Sequence, residues 1–289
     1  MLVSVVIPTF NSSSYIHRTI ASLINQTHKE LEIIVVDDNS PDYEELKACI
    51  DAIETNINIR LYKSHTKNNA SYSRNYGVDK ARGDYIAFLD SDDIFYPEKI
   101  EIQLKMMVAD DLDWSYTALN HVKLSDIGKK DNIKPLRGKF IDEDFYDYLF
   151  LHNGLIQTST IMIKKQLAAY FKFNELLVRH QDYDYCELLF KSSLKYGFIN
   201  EPLTYWILPE VYVSPLNKKQ SYDFCKEWIL SKKMSESAKD WYIVNNILLV
   251  SIKSKKPKEI IKFFLSSAFS FKTKFNTIIK LAIHISKKL

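Results

Sequence analysis

Three apolar runs, each followed at once by polar residues, constrain this chain more than anything else in it. Val3-Ser4-Val5-Val6-Ile7 gives way to Pro8-Thr9-Phe10-Asn11, and Leu31 to Val36 gives way to Asp37-Asp38. Tyr85-Ile86-Ala87-Phe88-Leu89 gives way to Asp90-Ser91-Asp92-Asp93. Runs of this length bounded by turn residues read as strands buried on both faces. Between them the apolar residues recur at helical spacing. Ile16, Ile20, Leu23 and Ile24 follow candidate N-caps at Asn11 to Ser14, and further helices are expected near Tyr43–Ile53 and over Ser71–Arg82. Ile57 to Tyr62 alternates as another strand. Strands alternating with helices form right-handed βαβ units and a mostly parallel sheet, so the fold class is α/β. Such sheets bind ligands beyond the carboxyl ends of their strands. All three polar clusters fall there.

The third cluster is the most specific. Asp90, Asp92 and Asp93 are three carboxylates within four residues. Carboxylates placed together repel one another unless a positive group lies between them. A hard divalent cation, Mg or Mn, shared with the phosphate oxygens of a substrate is one remedy. An Asp-rich turn capping the helix that begins near Pro97 is the plainer reading of the same residues. What the sequence lacks narrows the chemistry. Its six glycines build neither a G-x-G-x-x-G dinucleotide loop nor a G-x-x-x-x-G-K-[ST] phosphate loop. There is no G-x-S-x-G elbow, and the seven histidines form no H-x-x-x-H pair, so serine-hydrolase and zinc chemistry lack their signals. An oxygen-ligated metal with a diphosphate substrate remains.

The later chain is less regular. Helices are expected over Pro97–Val108, Asp142–Leu151 and Gln181–Tyr196, and strands over Asp113–Val122, Thr158–Ile163 and Leu203–Ile207, with a surface loop at 125–139. From about Pro215 the pattern is helical only: Tyr222–Lys232, Ala238–Ile252, Lys258–Phe271 and Asn276–Leu289. Three scattered cysteines suggest a reducing compartment and no disulfide framework. No secretory signal and no stretch of membrane-spanning length is expected. Charge is uneven. From Lys253 onward ten lysines face one acid, Glu259, about +9, which leaves about −6 elsewhere by difference from the net +3. Lys280, His284, Lys287 and Lys288 share one face of the last helix, and Ile278, Leu281, Ala282, Ile285 and Leu289 share the opposite one. This pattern suits either helices packed on the preceding domain or a basic amphipathic attachment to an anionic membrane surface. No nucleic-acid motif accompanies the lysines.

Ser4-Val5-Val6-Ile7-Pro8-Thr9-Phe10-Asn11, Val35-Val36-Asp37-Asp38-Asn39-Ser40, Ser73-Arg74-Asn75-Tyr76-Gly77 and Phe88-Leu89-Asp90-Ser91-Asp92-Asp93 resemble, in order and spacing, the motifs of the family 2 glycosyltransferases. The likeness covers roughly residues 2–210. It implies a GT-A fold in residues 1–214, with a nucleotide-sugar half to residue 95 and an acceptor half beyond it. Residues 215–289 form a helical basic extension. It also implies an inverting, metal-dependent transfer of sugar from a nucleotide donor, UDP-linked, to a glycan acceptor. That acceptor is lipid-linked, as in surface-polysaccharide assembly at the inner face of a cell membrane. By the same resemblance Pro8, Thr9, Phe10 and Asn11 wall the nucleotide pocket and Asp38 accepts from the base. Arg74 lies near the diphosphate, Asp90 with Ser91 faces the ribose, and Asp92 meets Mn or Mg. Asp182, in Gln181-Asp182-Tyr183-Asp184, is the implied general base. The chain departs from the family pattern at Tyr205-Trp206-Ile207-Leu208-Pro209, which has no histidine for the donor phosphates. A sugar nucleotidyltransferase and a non-catalytic nucleotide-sugar-binding protein are the alternatives.

Overall fold

The computed structural model describes residues 1–209, 221–253, 257–266, 269 and 271–286. The expected boundary near residue 215 and the lysines at 255, 256, 287 and 288 lie outside them. The chain divides into two compact units. One comprises Met1–Gly138 and Leu155–Glu210, and the other Lys139–Gly154 and Val211–Leu289.

The first unit is built on a nine-stranded sheet. Its strands are β1 (Val3–Thr9), β2 (Leu31–Asp37), β3 (Asn58–Lys63), β4 (Tyr85–Phe88), β5 (Ile94–Phe95), β6 (Trp114–Lys123), β7 (Ile133–Lys134), β8 (Met162–Lys164) and β9 (Tyr196–Leu208). They run in the order β3-β2-β1-β4-β8-β6-β9-β5, with β7 paired to β6. The first four are parallel, as the alternation requires. Both β1 and β2 are buried along their whole length, which explains their unbroken apolar sequences. Strand β8 then runs antiparallel to both β4 and β6.

Helices α1 (Ile16–Ile24), α2 (Tyr43–Asp51), α3 (Ala70–Lys80) and α4 (Lys99–Ala109) connect the strands. Helix α1 buries Ile16, Ile20 and Leu23, but none of the expected caps at Asn11 to Ser14 gives it a side-chain cap bond. The Ser12 carbonyl instead accepts from the Tyr15 and Ile16 amides. Helix α3 lies close against β1: a Cβ added at Gly77 would collide with the Val6 side chain. Helix α6 (Lys165–Tyr170) follows β8, and α7 (Gln181–Lys191) precedes β9.

Four expectations shift. The stretch expected as a surface loop at 125–139 holds β7, whose Ile133 and Lys134 pair with Asn120 and Leu119 of β6. Thr158–Thr160 forms a 3₁₀ turn in place of strand, because the Gln157 side chain accepts from the Ser159 amide, and strand begins only at Met162. Helix α7 ends at Lys191, since Ser192 is extended, and β9 begins at Tyr196, well before Leu203. Gly197 permits this early start, because a Cβ there would strike Leu112.

In the second unit, α5 (Phe145–Phe150) is capped by Asp144, which accepts from the Tyr146 and Asp147 amides. Its Phe150 stacks on Trp241 at 5.2 Å and its Tyr146 meets Trp228 edge-on at 5.8 Å. Thus α5 joins α8 (Tyr222–Ser231) and α9 (Glu236–Tyr242), which continues through a π-helical stretch, Ile243–Leu248, into α10 (Leu249–Lys253). Helices α11 (Pro257–Leu265) and α12 (Phe271–Ser286) complete it. Among the described residues no helix is long and apolar enough to cross a membrane, and all three cysteines are free thiols.

One core residue is out of character. Lys99 at the start of α4 is fully buried, and its Nζ has no hydrogen-bond partner. Burial pulls its pKa down to about 7. The unfolded chain keeps that amine protonated until near 10.5, so between those values the unfolded state binds more protons and stability rises with pH. The cost at pH 7 is at most about 5 kcal/mol. Lys99→Met is expected to raise the Tm by several degrees at pH 7 and by much less at pH 10, as read by thermal unfolding. An equal gain at both pH values would contradict the assignment.

Candidate functional site

The carboxyl ends of β1, β2 and β4 lie side by side. The register pairs Thr9 with Asp37 and Val6 with Phe88. The ladder continues past the strands: the Asp38 amide donates to the Thr9 carbonyl (2.9 Å) and the Leu89 amide to the Val6 carbonyl (3.0 Å). Beyond these ends opens a cavity of about 260 Å³ lined by Pro8, Thr9, Phe10, Asp38, Ala70, Ser73, Arg74, Asp90, Ser91 and Asp92. The two sequence-predicted residues outside that lining are Asn11 and Asp182.

Asn11 serves the turn. It sits at φ 55°, a left-handed conformation that Asn tolerates, and its amide donates to Ser40 Oγ (3.0 Å). Ser40 in turn donates from both amide and hydroxyl to the buried Asp37 carboxylate (2.9 and 2.5 Å). Asp37 therefore ties down the loop after β2, and the cavity receives Asp38. Asp38 is 5% exposed and accepts from the Asn68 amide at 2.7 Å. Burial raises its pKa against the pull of that amide and of Lys67. Lys67 Nζ lies 3.0 Å from the centre of the Phe10 ring, a cation–π contact at the cavity rim.

The three carboxylates after β4 have three different surroundings. Asp90 accepts from Arg74 Nη2 (2.6 Å) and from Gln157 Nε2 (2.9 Å). Arg74 is thus the positive group between strand ends, and it does not pair with Asp84, which accepts instead from the Leu2 amide. Asp93 is fully buried. Its carboxylate accepts from Gln157 Nε2 (2.9 Å), Ser159 Oγ (2.6 Å) and the Ile207 amide (3.1 Å). Burial, then the neighbouring Asp92 and Asp90, push its pKa well up. Asp93 fastens the turn to β9 and does not reach the cavity. Asp92 is exposed at the cavity. Among the described residues no three His, Cys, Asp or Glu side chains form a metal-holding group. Mg is commonly held by one or two carboxylates with substrate phosphates and water completing the shell. Asp92, an exposed carboxylate at the cavity, offers one oxygen ligand of that kind.

Asp182 lies in the first turn of α7, after His180 at φ 60°. Arg74 links it to the cavity edge: Arg74 Nη1 reaches Gln181 Oε1 (3.4 Å), and the guanidinium sits 5.2 Å over the Phe173 ring, which stacks on Tyr185 of α7 at 3.8 Å. Burial raises the Asp182 pKa, opposed by its contact with the Tyr183 amide and by Arg74. Asn75 of α3 fixes the intervening loop, exchanging hydrogen bonds with the Phe173 backbone (both 2.9 Å) and donating to Glu175 (2.7 Å). Residues missed from sequence are Ala70 and Ser73, whose small side chains let α3 border the cavity, and Gln157 and Ser159, which sort the carboxylates. A helix with almost no apolar face, as α3 is in sequence, is the signal that marks the first pair.

A mixed α/β sheet whose parallel half, β3-β2-β1-β4, opens on this cavity at its carboxyl edge is the architecture of the GT-A class of transferase. The chain belongs to the family 2 glycosyltransferases: the profile described as "Glycosyl transferase family 2" matches residues 4–171. It is similar to the amylovoran biosynthesis glycosyltransferase AmsB of Erwinia amylovora, 33% identical over 83% of this chain and 80% of that one. It is also similar to the Escherichia coli UDP-Glc:alpha-D-GlcNAc-diphosphoundecaprenol beta-1,3-glucosyltransferase WfgD, 26% identical over 86% and 93% respectively. In fold it matches the mannosyltransferase PcManGT of Pyrobaculum calidifontis, solved with GDP-Man and Mn2+. That match has a TM-score of 0.60 and 13% identity over 98% of this chain and 80% of that one. Family membership makes the chain a glycosyltransferase in place of the nucleotidyltransferase and non-catalytic alternatives.

Asp93→Ala removes the acceptor of three buried donors, about 1 kcal/mol each. It is expected to lower the Tm by roughly 5–10 °C, whereas Asp92→Ala is expected to leave it within about 2 °C. Thermal unfolding of both variants checks this, and equal losses would contradict the division of roles.

Proposed function

We propose that the protein transfers a sugar, with inversion, from a UDP-linked donor to a hydroxyl of a lipid-linked glycan during assembly of a surface polysaccharide. The observation that carries this reading is the single cavity that Phe10, Asp38, Arg74, Asp90 and Asp92 share, with Asp182 coupled to its edge through Arg74. The likeness to AmsB, of amylovoran biosynthesis, and to WfgD, a glucosyltransferase acting on a diphosphoundecaprenol-linked sugar, supports the product and acceptor classes. WfgD supports UDP, while the GDP-Man bound to PcManGT is the competing nucleotide.

The residues divide the work as follows. The Phe10 ring and the Asp38 carboxylate take the base, the latter accepting the uracil N–H. Thr9 and Pro8 form the wall behind it. Asp90, held by Arg74 and Gln157, faces the ribose beside Ser91. The Arg74 guanidinium lies where the diphosphate gains charge as the sugar leaves, and stabilises it. A bound Mn or Mg, held at Asp92, would neutralise the same diphosphate. Asp182 takes the proton of the acceptor hydroxyl as the new bond forms. A base acting opposite the leaving group gives one displacement, so an α-linked donor yields a β-linked product.

The second unit carries the attachment to a membrane. Helix α12 buries Thr273 and Thr277 and exposes Phe275 (54%), Ile278 (48%) and Ile279 (43%). Helix α11 likewise exposes Ile261 and Leu265. A helix that hides threonines and presents an apolar stripe among lysines suits an anionic bilayer, here the cytoplasmic face of a cell membrane. Lys280 and Lys262 are partly committed, to Asp240 and Asp223 (3.3 and 3.1 Å), whereas Lys258 and Lys272 are exposed.

Asp182→Asn is expected to lower kcat at least about 100-fold while UDP affinity is unchanged. In the parent enzyme the acid limb of kcat/KM against pH lies above the ordinary carboxylate range, because burial raises the Asp182 pKa and protonation removes the base. Variant activity near that of the parent would contradict the role. Sedimentation with phosphatidylglycerol vesicles, but not with phosphatidylcholine vesicles, is expected at low salt, and Phe275→Asp with Ile278→Asp should abolish it. Equal recovery with both lipids would refute the attachment.

A further inference from the structure

Part of the buried face of α1 is polar. Thr19 and Ser22, with Gln26 just past the helix end, follow one helical stripe, and all three are buried. Buried polar side chains need partners, and these three find them in the segment that begins with the aspartate turn. Thr19 Oγ1 donates toward the Ser91 carbonyl (2.7 Å) and the Asp93 carbonyl (2.9 Å). Ser22 Oγ accepts from the Phe95 amide (3.2 Å). Gln26 donates to the Tyr96 carbonyl (2.7 Å) and accepts from the Ile100 amide (3.0 Å). One stripe of α1 therefore holds the chain from Ser91 to Ile100.

Its end at the aspartate turn behaves differently from the rest. A hydroxyl inside a helix commonly returns its proton to the helix's own carbonyls. Ser22 does so, donating to the Thr19 carbonyl (2.7 Å). Thr19 instead directs its one proton to the two carbonyls that flank Asp92. Beside it, Arg18 Nη2 reaches the Asp92 carbonyl itself (3.4 Å). Three successive carbonyls, of Ser91, Asp92 and Asp93, thus accept from two successive residues of α1. Ser12 Oγ adds a contact with Ser91 Oγ (3.1 Å). The main chain under Asp92 is pinned on both sides, while the Asp92 side chain is exposed at the cavity.

We propose that Thr19, assisted by Arg18, is a positioning residue for the cation. It fixes the main chain of the turn so that the Asp92 carboxylate stands where Mn or Mg arrives with the donor's diphosphate. This rests on the reading of Asp92 as the residue that meets the cation, and goes beyond it. Groups that orient a metal ligand affect metal affinity although they never touch the metal. Ser22, on the same stripe but reaching Phe95 beyond the turn, supports the fold alone.

Calorimetric titration of the full chain with UDP and with uridine, each with and without Mn2+, separates these roles in Thr19→Val, Thr19→Ser and Ser22→Ala. Valine keeps the shape of threonine and removes the hydroxyl. Thr19→Val is expected to reduce the Mn2+ gain in UDP affinity about tenfold. Its uridine affinity is unchanged, which certifies its folding, and Thr19→Ser regains the Mn2+ effect. Ser22→Ala is expected to lower the Tm by a few degrees and to keep the parent's Mn2+ gain, the pattern of a merely structural residue. Should Thr19→Val not fold, Arg18→Met takes its place. Removing a positive charge from beside Asp92 would by itself strengthen a cation there, so a reduced gain in Arg18→Met reports lost geometry. A Mn2+ gain equal to the parent's in folded Thr19→Val, or in Arg18→Met in its stead, would overturn the proposal. So would an equal loss of that gain in Ser22→Ala. UDP binding to the parent with no Mn2+ gain would refute the cation reading of Asp92 itself, and the proposal with it.

Discussion

The register of β1 between β2 and β4 is the constraint on which the rest depends. Main-chain bonds carry that ladder one residue past each strand, from Asp38 to Thr9 and from Leu89 to Val6. Side chains that belong to three separate stretches of chain are therefore delivered to one edge. Because the side-chain period of a strand is two, a slip of one residue in β2 would exchange Asp37 for Asp38 at the cavity. The core prevents the slip: Ile33 and Val35 lie in the same apolar cluster as Val5 and Ile7. Packing in the sheet thus selects which carboxylate lines the cavity and which one holds the loop.

The second theme is how clustered acids coexist. Three aspartates in four residues look alike as sequence, and a cation between them is the obvious remedy. The folded chain uses three remedies at once. Asp90 is neutralised by Arg74, Asp93 is withdrawn into a buried network with a raised pKa, and Asp92 faces solvent. The demand for a metal falls from three carboxylates to one, in keeping with a cation that enters with its phosphate ligands.

Much of this was legible in the chain, for definite reasons. Buried parallel strands and amphipathic helices carry strong periodicities, so β1 to β4 and the helices between them were foreseen within a few residues. Eight of the ten expected site residues line one cavity, since strand ends fix their position. What stayed hidden depends on partners remote in sequence. Nothing in Asp90 to Asp93 reveals that Gln157, Ser159 and Ile207 will claim Asp93. Only the first residue of β9, Tyr196, reads as helix and the next six carry no strand signal, because Gly197 is needed there for the approach of Leu112 and Met106, which no local pattern records. Asn11 reads as a pocket wall, yet the turn after β1 requires its left-handed backbone. Lys99 opens a helix as an ordinary charged residue would, and only the packing around it shows that its amine is enclosed.

The most direct test of the account is calorimetric titration of the whole chain with UDP and with uridine, each with and without Mn2+. If strand-end side chains hold a diphosphate together with a cation, UDP binds at least tenfold more tightly than uridine, and Mn2+ strengthens UDP alone. Uridine binding as tightly as UDP, or a gain from Mn2+ equal for both, would contradict it.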